Sequence, residues 1–400
     1  MRFMNHWLRL ALVLVGAVAM SLTPAARAQM GMMGMGAGQD MITKRGVEAY
    51  AKILGLSPEQ REVALTLMEA SQSQFKDATK KFQDAMKVVQ DKVNDTQDFS
   101  LYRTEMPKAA KEFQEKTQTL EKGFFADLKA ACNDAQLANW SKVERYHRRE
   151  KALRFGFVSG AGVDLIKLVD GLKLKDNSDV AGLLDQYELE MDKNLQEFEK
   201  VAKQAEEDAF KGGGAMFDLG KAEAILKQFY GVSKDMRDLN KTYARKVAQV
   251  MDDRTREKFE DEFNRRSFPR VYKPAHVVKM METAAGLPDV SGDVKKTIAT
   301  LKDGYEHDAA MLNTKWAKAI EEREEKAGGS FAAIMKSMQG EGGDLNKDVN
   351  DARTARKELD QKTKDRLLAM LTEDQKAKMP EAPREDPNPF ADFMPSGEDE

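Results

Sequence analysis

Apolar residues recur along this chain in alternating steps of three and four, in long runs separated by polar or glycine-rich breaks. The first run is Phe75, Ala78, Phe82, Ala85, Val89 and Val93, and it ends in the polar cluster 94–98. A return run follows through Met106, Ala110, Phe113, Thr117, Leu120, Phe124 and Leu128. That period places one narrow apolar stripe on each of two α-helices. The plan recurs with Leu184, Tyr187, Met191, Leu195, Phe198, Ala202, Ala205 and Ala209, a turn at Gly212-Gly213-Gly214, and a return from Ala222 to Val247. A third copy runs from Val294 to Ile320, turns through 328–343, and returns from Leu345 to Leu367. No strand pattern competes with these stripes.

The helix ends carry their own signals. Ser57 suits an N-cap, Pro58 the first helical position, and Gln60 completes a capping box. Asn133 and Gln136 repeat that arrangement for a shorter helix after the hairpin. A helix-end segment, Leu128 to Gln136, returns as Val247 to Thr255 and as Leu367 to Gln375, at spacings of 119 and 120 residues. Weaker echoes of the opening segment Gly55–Gln60 stand at 172–176 and at Gly286-Leu287-Pro288-Asp289. A period that long marks a repeated domain and not a solenoid unit. The expected fold is all-α: three tandem, elongated helical-hairpin (coiled-coil-like) units, each two long helices plus a shorter third, over residues 41–157, 158–274 and 275–380. The joints at 155–162 and 267–274 are short and partly apolar, so the units are expected to pack on one another.

The termini read differently. Arg2 and Arg9, the apolar run 10–20 and Ala26-Arg27-Ala28 resemble a secretory signal peptide over 1–28. No other stretch approaches a membrane-spanning length, so an exported, periplasmic-type chain without membrane insertion is expected. Residues 29–40 form a Met/Gly-rich leader. The tail 381–400, with seven acids and one arginine, is expected to be disordered. The chain's formal charge is −3, yet residues 41–157 carry 21 basic and 17 acidic side chains. Only this first unit is basic, and mildly, which argues against a nucleic-acid partner. One cysteine, Cys132, rules out an internal disulfide, and its position suits a small buried apolar residue.

Catalytic constellations are hard to assemble. His147, His276 and His307 stand apart, without zinc-ligand spacing. Gly160-Ala161-Gly162 begins like a dinucleotide fingerprint but has Leu165 where the third glycine belongs. The chain therefore reads as a non-enzyme without a cofactor. Two features remain. Met30, Met32, Met33 and Met35 could offer soft thioether ligands to Cu(I); the plain alternative is a flexible leader. Arg145, Arg148, Arg149, Arg265 and Arg266 close two helices, where cations stabilise the dipole; they are also a candidate partner surface.

Leu371-Thr372-Glu373-Asp374-Gln375, with Leu56-Ser57-Pro58-Glu59-Gln60 as a near variant, resembles the Leu-Thr-x-x-Gln signature of the Spy/CpxP family of periplasmic helical proteins. The resemblance implies structural caps at Leu56, Ser57, Gln60, Leu371, Thr372 and Gln375. It also implies an ATP-independent chaperone or envelope-stress protein whose partners are unfolded protein clients. The second unit departs from the signature, with Asp253 and Thr255 where Thr and Gln belong. A copper-responsive protein using the leader and a helical scaffold for a protein partner are the other two readings.

Overall fold

The computed structural model describes residues 42–153, 156–174, 177–211, 219–330, 333 and 343–382. The chain is all-α, and no strand occurs among the described residues. Residues 1–28, expected to be a signal peptide, the methionine-rich 29–40, the triple glycine 212–214, most of 331–342 and most of 381–400 lie outside the described residues. The chain divides into two compact units, Met1–Arg148 with Ala202–Leu219, and Arg149–Val201 with Gly220–Glu400.

In the first unit, α1 (Lys44–Leu54) precedes the long pair α2 (Pro58–Thr96) and α4 (Met106–Ala130), with α3 (Ser100–Thr104) at the turn between them. The short α5 (Asp134–Leu137) and α6 (Trp140–Ala152) follow. Helix α2 has 39 residues, roughly 58 Å at the standard rise. It stops where Gln97 turns left-handed at φ 56°. The predicted stripes meet in two clusters. Midway along, Phe75, Ala78 and Phe82 pack on Ala110, Phe113 and Leu120, with the Phe82 and Phe113 rings stacked at 5.1 Å. At the base, Ala64, Met68, Phe124 and Leu128 are joined by Val47, Tyr50 and Leu54 of α1 and by Trp140 and Val143 of α6.

Helix α1 was not among the predicted elements. Its eleven residues are held by Thr43, whose hydroxyl accepts from Gly46 N–H at 3.0 Å, and by Gly55 at φ 63°. Val47, Tyr50, Ala51 and Leu54 form its buried face, at helical spacing. Each further pair has the same kind of preface. Helix α7 (Leu165–Gly171) precedes the second pair and α11 (His276–Gly286) the third. The predicted shorter third helix after α4 is also divided, into one turn at α5 and the separate α6.

In the second unit, α8 (Ser178–Lys211, of which 202–211 are grouped with the first unit) and α9 (Leu219–Gln249) are followed by α10 (Asp253–Ser267). Then come α12 (Gly292–Ala327), α13 (Gly343–Ala369) and α14 (Glu373–Lys376). The second and third predicted hairpins thus fall largely within one compact unit. Leu165, Leu168, Tyr187, Met191, Leu195, Met236, Tyr243, Val247 and Phe259 form the core of the second pair. Val277, Met281, Ile298, Tyr305 and Leu367 belong to that of the third. The joint after α10 packs Phe268 and Val271 against Ala317 of α12. Burying each such large apolar side chain contributes about 1.5–3 kcal/mol.

Polar keys interrupt these cores. The Tyr187 hydroxyl donates to Asn240 Oδ1 at 2.8 Å, and Asn240 Nδ2 donates to the Gly160 and Ala161 carbonyls at 2.8 and 3.2 Å. The glycines at 160–162 therefore serve a structural turn whose carbonyls the core asparagine reads. In the third pair, buried Arg356 donates to Asn313 Oδ1, to the Tyr305 hydroxyl and to Asp360. A slip of either helix pair would strand these groups away from water, so they hold the register as the apolar stripe alone does not. Replacing Tyr187 with Phe is expected to leave Asn240 Oδ1 short of its donor and cost about 1–3 kcal/mol. The urea midpoint of the purified chain measures this; an unchanged midpoint would show that the key carries no net stability.

Candidate functional site at the hairpin bases

The repeated helix-end segments come together at the base of the first hairpin. Ser57 Oγ accepts from Gln60 N–H at 3.2 Å, and Gln60 Oε1 accepts from Ser57 N–H at 2.9 Å. Asn133 and Gln136 do the same at 3.0 and 2.9 Å. Both are capping boxes, each using one glutamine to satisfy a helix N-terminus.

The two glutamines also bind each other. Gln60 Nε2 donates to Gln136 Oε1 at 3.0 Å, and Gln136 Nε2 donates to Gln60 Oε1 at 2.8 Å. The remaining amide hydrogens go to main-chain carbonyls, from Gln60 to Ala131 at 2.7 Å and from Gln136 to Gly55 at 3.1 Å. Each amide thus makes four hydrogen bonds, its full complement. The start of α2 and the start of α5 are bolted together, and each bolt also spans to the preceding turn. Leu56 packs beside this pair at the edge of the base core, together with Cys132 and Leu137.

The other bases differ in degree. At α14, Thr372 and Gln375 form a capping box, and Gln375 Nε2 donates to the Asp289 carbonyl at 2.9 Å. Leu371 is buried in the core of the third pair. The bolt is one-sided here. The segment expected to open this pair, Leu287-Pro288-Asp289, supplies that carbonyl and the Asp289 carboxylate, which accepts from Lys378 Nζ at 3.0 Å, and the helix is capped two residues later by Ser291. At α10, Asp252 caps Thr255 N–H at 3.0 Å and no glutamine is present; Arg256 instead donates to the Ala248 and Met251 carbonyls at 3.1 Å each. The opening cap of α8 is Asn177, just beyond the expected 172–176.

Beside the first base lies a hydrogen-bonded chain of three side chains. Tyr50 Oη and His147 Nδ1 are 2.8 Å apart, and His147 Nε2 and Glu121 Oε1 are 2.6 Å apart. With a ring N–H on Nε2, His147 donates to Glu121, and an unprotonated Nδ1 accepts from the Tyr50 hydroxyl, an assignment that follows from the hydrogen-bond network. Tyr50 is 2% exposed, walled in by Phe124, Phe125 and Tyr146. The chain therefore pins α1 to α4 and α6, and the hydroxyl is out of reach of a substrate. Its partners lie 97 and 26 residues from His147, a relation no local pattern reveals.

The arginines are not one cationic patch. Arg149 is 6% exposed and pairs with Asp164 at 3.1 Å and Glu188 at 2.9 Å. It is a core ion pair, which corrects its placement on a partner surface: a buried guanidinium must be paired with carboxylates. Arg145 and Arg148 are half-buried and already engaged. Arg265 and Arg266 both pair with Glu262, and Arg265 is the more exposed. Cys132 is half-buried, its thiol donates to the Leu128 carbonyl at 3.2 Å, and burial pushes it up from the ordinary thiol range. That makes it less reactive. No cluster of three or more His, Cys, Asp or Glu able to hold a metal occurs among the described residues, and Met30, Met32, Met33 and Met35 lie outside them.

No protein-family model, curated protein or solved structure matches the chain.

The bolted amides predict a coupled effect. Gln60→Ala or Gln136→Ala alone leaves a buried amide without its partner and is expected to cost about 1–3 kcal/mol. The double substitution is expected to cost less than the sum, with a coupling of about 0.5–3 kcal/mol. Urea unfolding of the four proteins measures it; additive costs would show that the two caps act independently.

Proposed function

We propose that the chain is an exported, non-enzymatic binding protein of the Spy/CpxP kind that holds partly unfolded protein clients without ATP. The observation that carries this reading is the placement of the two glutamine caps. One opens the long first hairpin at Leu56, Ser57 and Gln60, and the other follows it at Asn133 and Gln136. The resemblance implies one such motif opening a long hairpin and one following it, and Asn133 and Gln136 stand at the second place without the signature's Leu and Thr. A third cap, at Leu371, Thr372 and Gln375, follows the last hairpin.

The caps are built for structure, so the binding role falls to the helix faces between them. Val63, Val88, Leu189 and Met311 lie on long helices with 48, 51, 52 and 50% of their surface exposed. Each has charged residues within four positions of it on its helix. Scattered apolar points on a charged helix offer many weak contacts to an unfolded chain and no single deep pocket. Weak, distributed contact of this kind lets a client leave and fold without an energy source.

The test is light scattering from a chemically denatured client diluted into buffer without nucleotide. An equimolar amount of the protein is expected to slow aggregation several-fold. Changing Val63, Val88, Leu189 and Met311 to Ser is expected to weaken that effect while circular dichroism stays the same. Aggregation at the uninhibited rate with the unaltered protein would refute the reading.

A further inference from the structure

The second and third helix pairs meet along a row of opposite charges. Lys234, Arg237 and Lys241 lie at helical spacing on α9, and Glu321, Glu324 and Glu325 answer them from α12. Lys241 pairs with Glu321 at 2.5 Å and Lys234 with Glu325 at 2.7 Å. Arg237, 5% exposed, donates to Glu325 Oε1 at 2.7 Å and to Asp238 at 3.0 Å. The end of α12 is pressed onto α9: Gly329 adopts φ +73°, and a Cβ there would stand 2.7 Å from Tyr230 Cβ and 3.0 Å from the Leu226 carbonyl.

Glu324 stands apart within this row. Its Oε1 accepts from Ser159 N–H at 3.0 Å and from the Ser159 hydroxyl at 2.6 Å. Its Oε2 is buried and has no hydrogen-bond partner. Arg237 Nη1, 4.0 Å away, forms a long ion pair with it but is buried without a hydrogen bond, as is the Tyr230 hydroxyl. We propose that this junction is a proton-linked clasp, in which Glu324 is protonated more readily when the second and third helix pairs are closed on each other, so that mild acid tightens the joint.

The reason is solvation. An ionised carboxylate oxygen without a donor is costly to bury and is hydrated once the joint opens. Burial pushes the Glu324 carboxyl up from the usual carboxylate range, against the opposing pull of Ser159, Arg323 and Arg237. A group whose proton is held more tightly in the closed state stabilises that state at low pH and loses this contribution as pH rises through its closed-state value. Glu325 behaves in the opposite way, held below its usual range by Arg237 and Lys234. It stays ionised further into acid than an ordinary glutamate, so its own pairs with Arg237 and Lys234 are kept as Glu324 gains its proton. Among the described residues, the other charged or titratable groups near the junction include Lys227, Lys234, Asp238, Lys241 and Tyr230 on α9, Glu321 and Arg323 on α12, and Tyr272 in the field of Asp261 and Glu321. Ser159, Gly160 and Ser267 contribute no charge.

Hydrogen exchange of the full chain tests this, read over 156–161 and 321–330 and compared with Glu324→Gln at each pH. Intrinsic exchange chemistry and histidine titration cancel in that comparison. Across a pH series the two proteins should be equally protected at the acid end, and the unaltered chain should exchange several-fold faster than the variant at the alkaline end. Ser159→Ala, which removes a donor to the ionised form, should move the transition to higher pH. A pH-independent ratio to Glu324→Gln, or an unmoved transition in Ser159→Ala, would overturn the clasp. Protection over 75–93 reports that each variant is folded.

Discussion

A 39-residue helix that buries a single stripe of side chains gains little from each turn and must be closed at its ends. That constraint shapes the first hairpin. Phe75, Phe82 and Phe113 hold the middle, but the base must bring together the N-termini of α2 and α5, each with unpaired N–H groups. Gln60 and Gln136 solve both problems with the same atoms. Each carbonyl oxygen caps its own helix and receives the other's amide, and each amide nitrogen reaches across to the neighbouring turn. The front helix α1 then finds a firm seat, fixed by Tyr50, His147 and Glu121.

The three helix pairs use different means to the same end. The first relies on an apolar interior and a fully paired amide bolt. The second lacks glutamine at its caps, and its register rests on Tyr187 and Asn240 reading the turn at 160–161. The third has a one-sided bolt at Gln375 and a buried network of Tyr305, Asn313, Arg356 and Asp360. Loss of the amide bolt thus goes together with polar keys deeper in the pair. Buried polar groups that find every partner specify one register, since a slipped alternative leaves them unpaired. Arg149 and Arg237 apply the same logic to helix–loop and helix–helix joints.

Much of this was legible in the order of residues. The stripes from Phe75 to Leu128 located the first long helices, and Ser57, Asn133 and Thr372 cap as their spacing indicated, because a capping box spans only three residues. What was not legible is long-range. Nothing local pairs Gln60 with Gln136, 76 residues on, or buries Arg149 between Asp164 and Glu188. The front helices were missed for a different reason: α1, α7 and α11 are short and become stable only against the hairpin base. Pro288 drew the opening of the third pair too early, since the cap that the backbone uses is Ser291.

On the proposed function, the caps build the hairpins and the faces between them bind clients. Amide chemical-shift or exchange mapping with a permanently unfolded client measures that division directly. The account predicts changes clustered around Val63, Val88, Leu189 and Met311, with residues 57–60, 133–136 and 372–375 unaffected. Changes confined to those caps, or none anywhere in the presence of excess client, would contradict it.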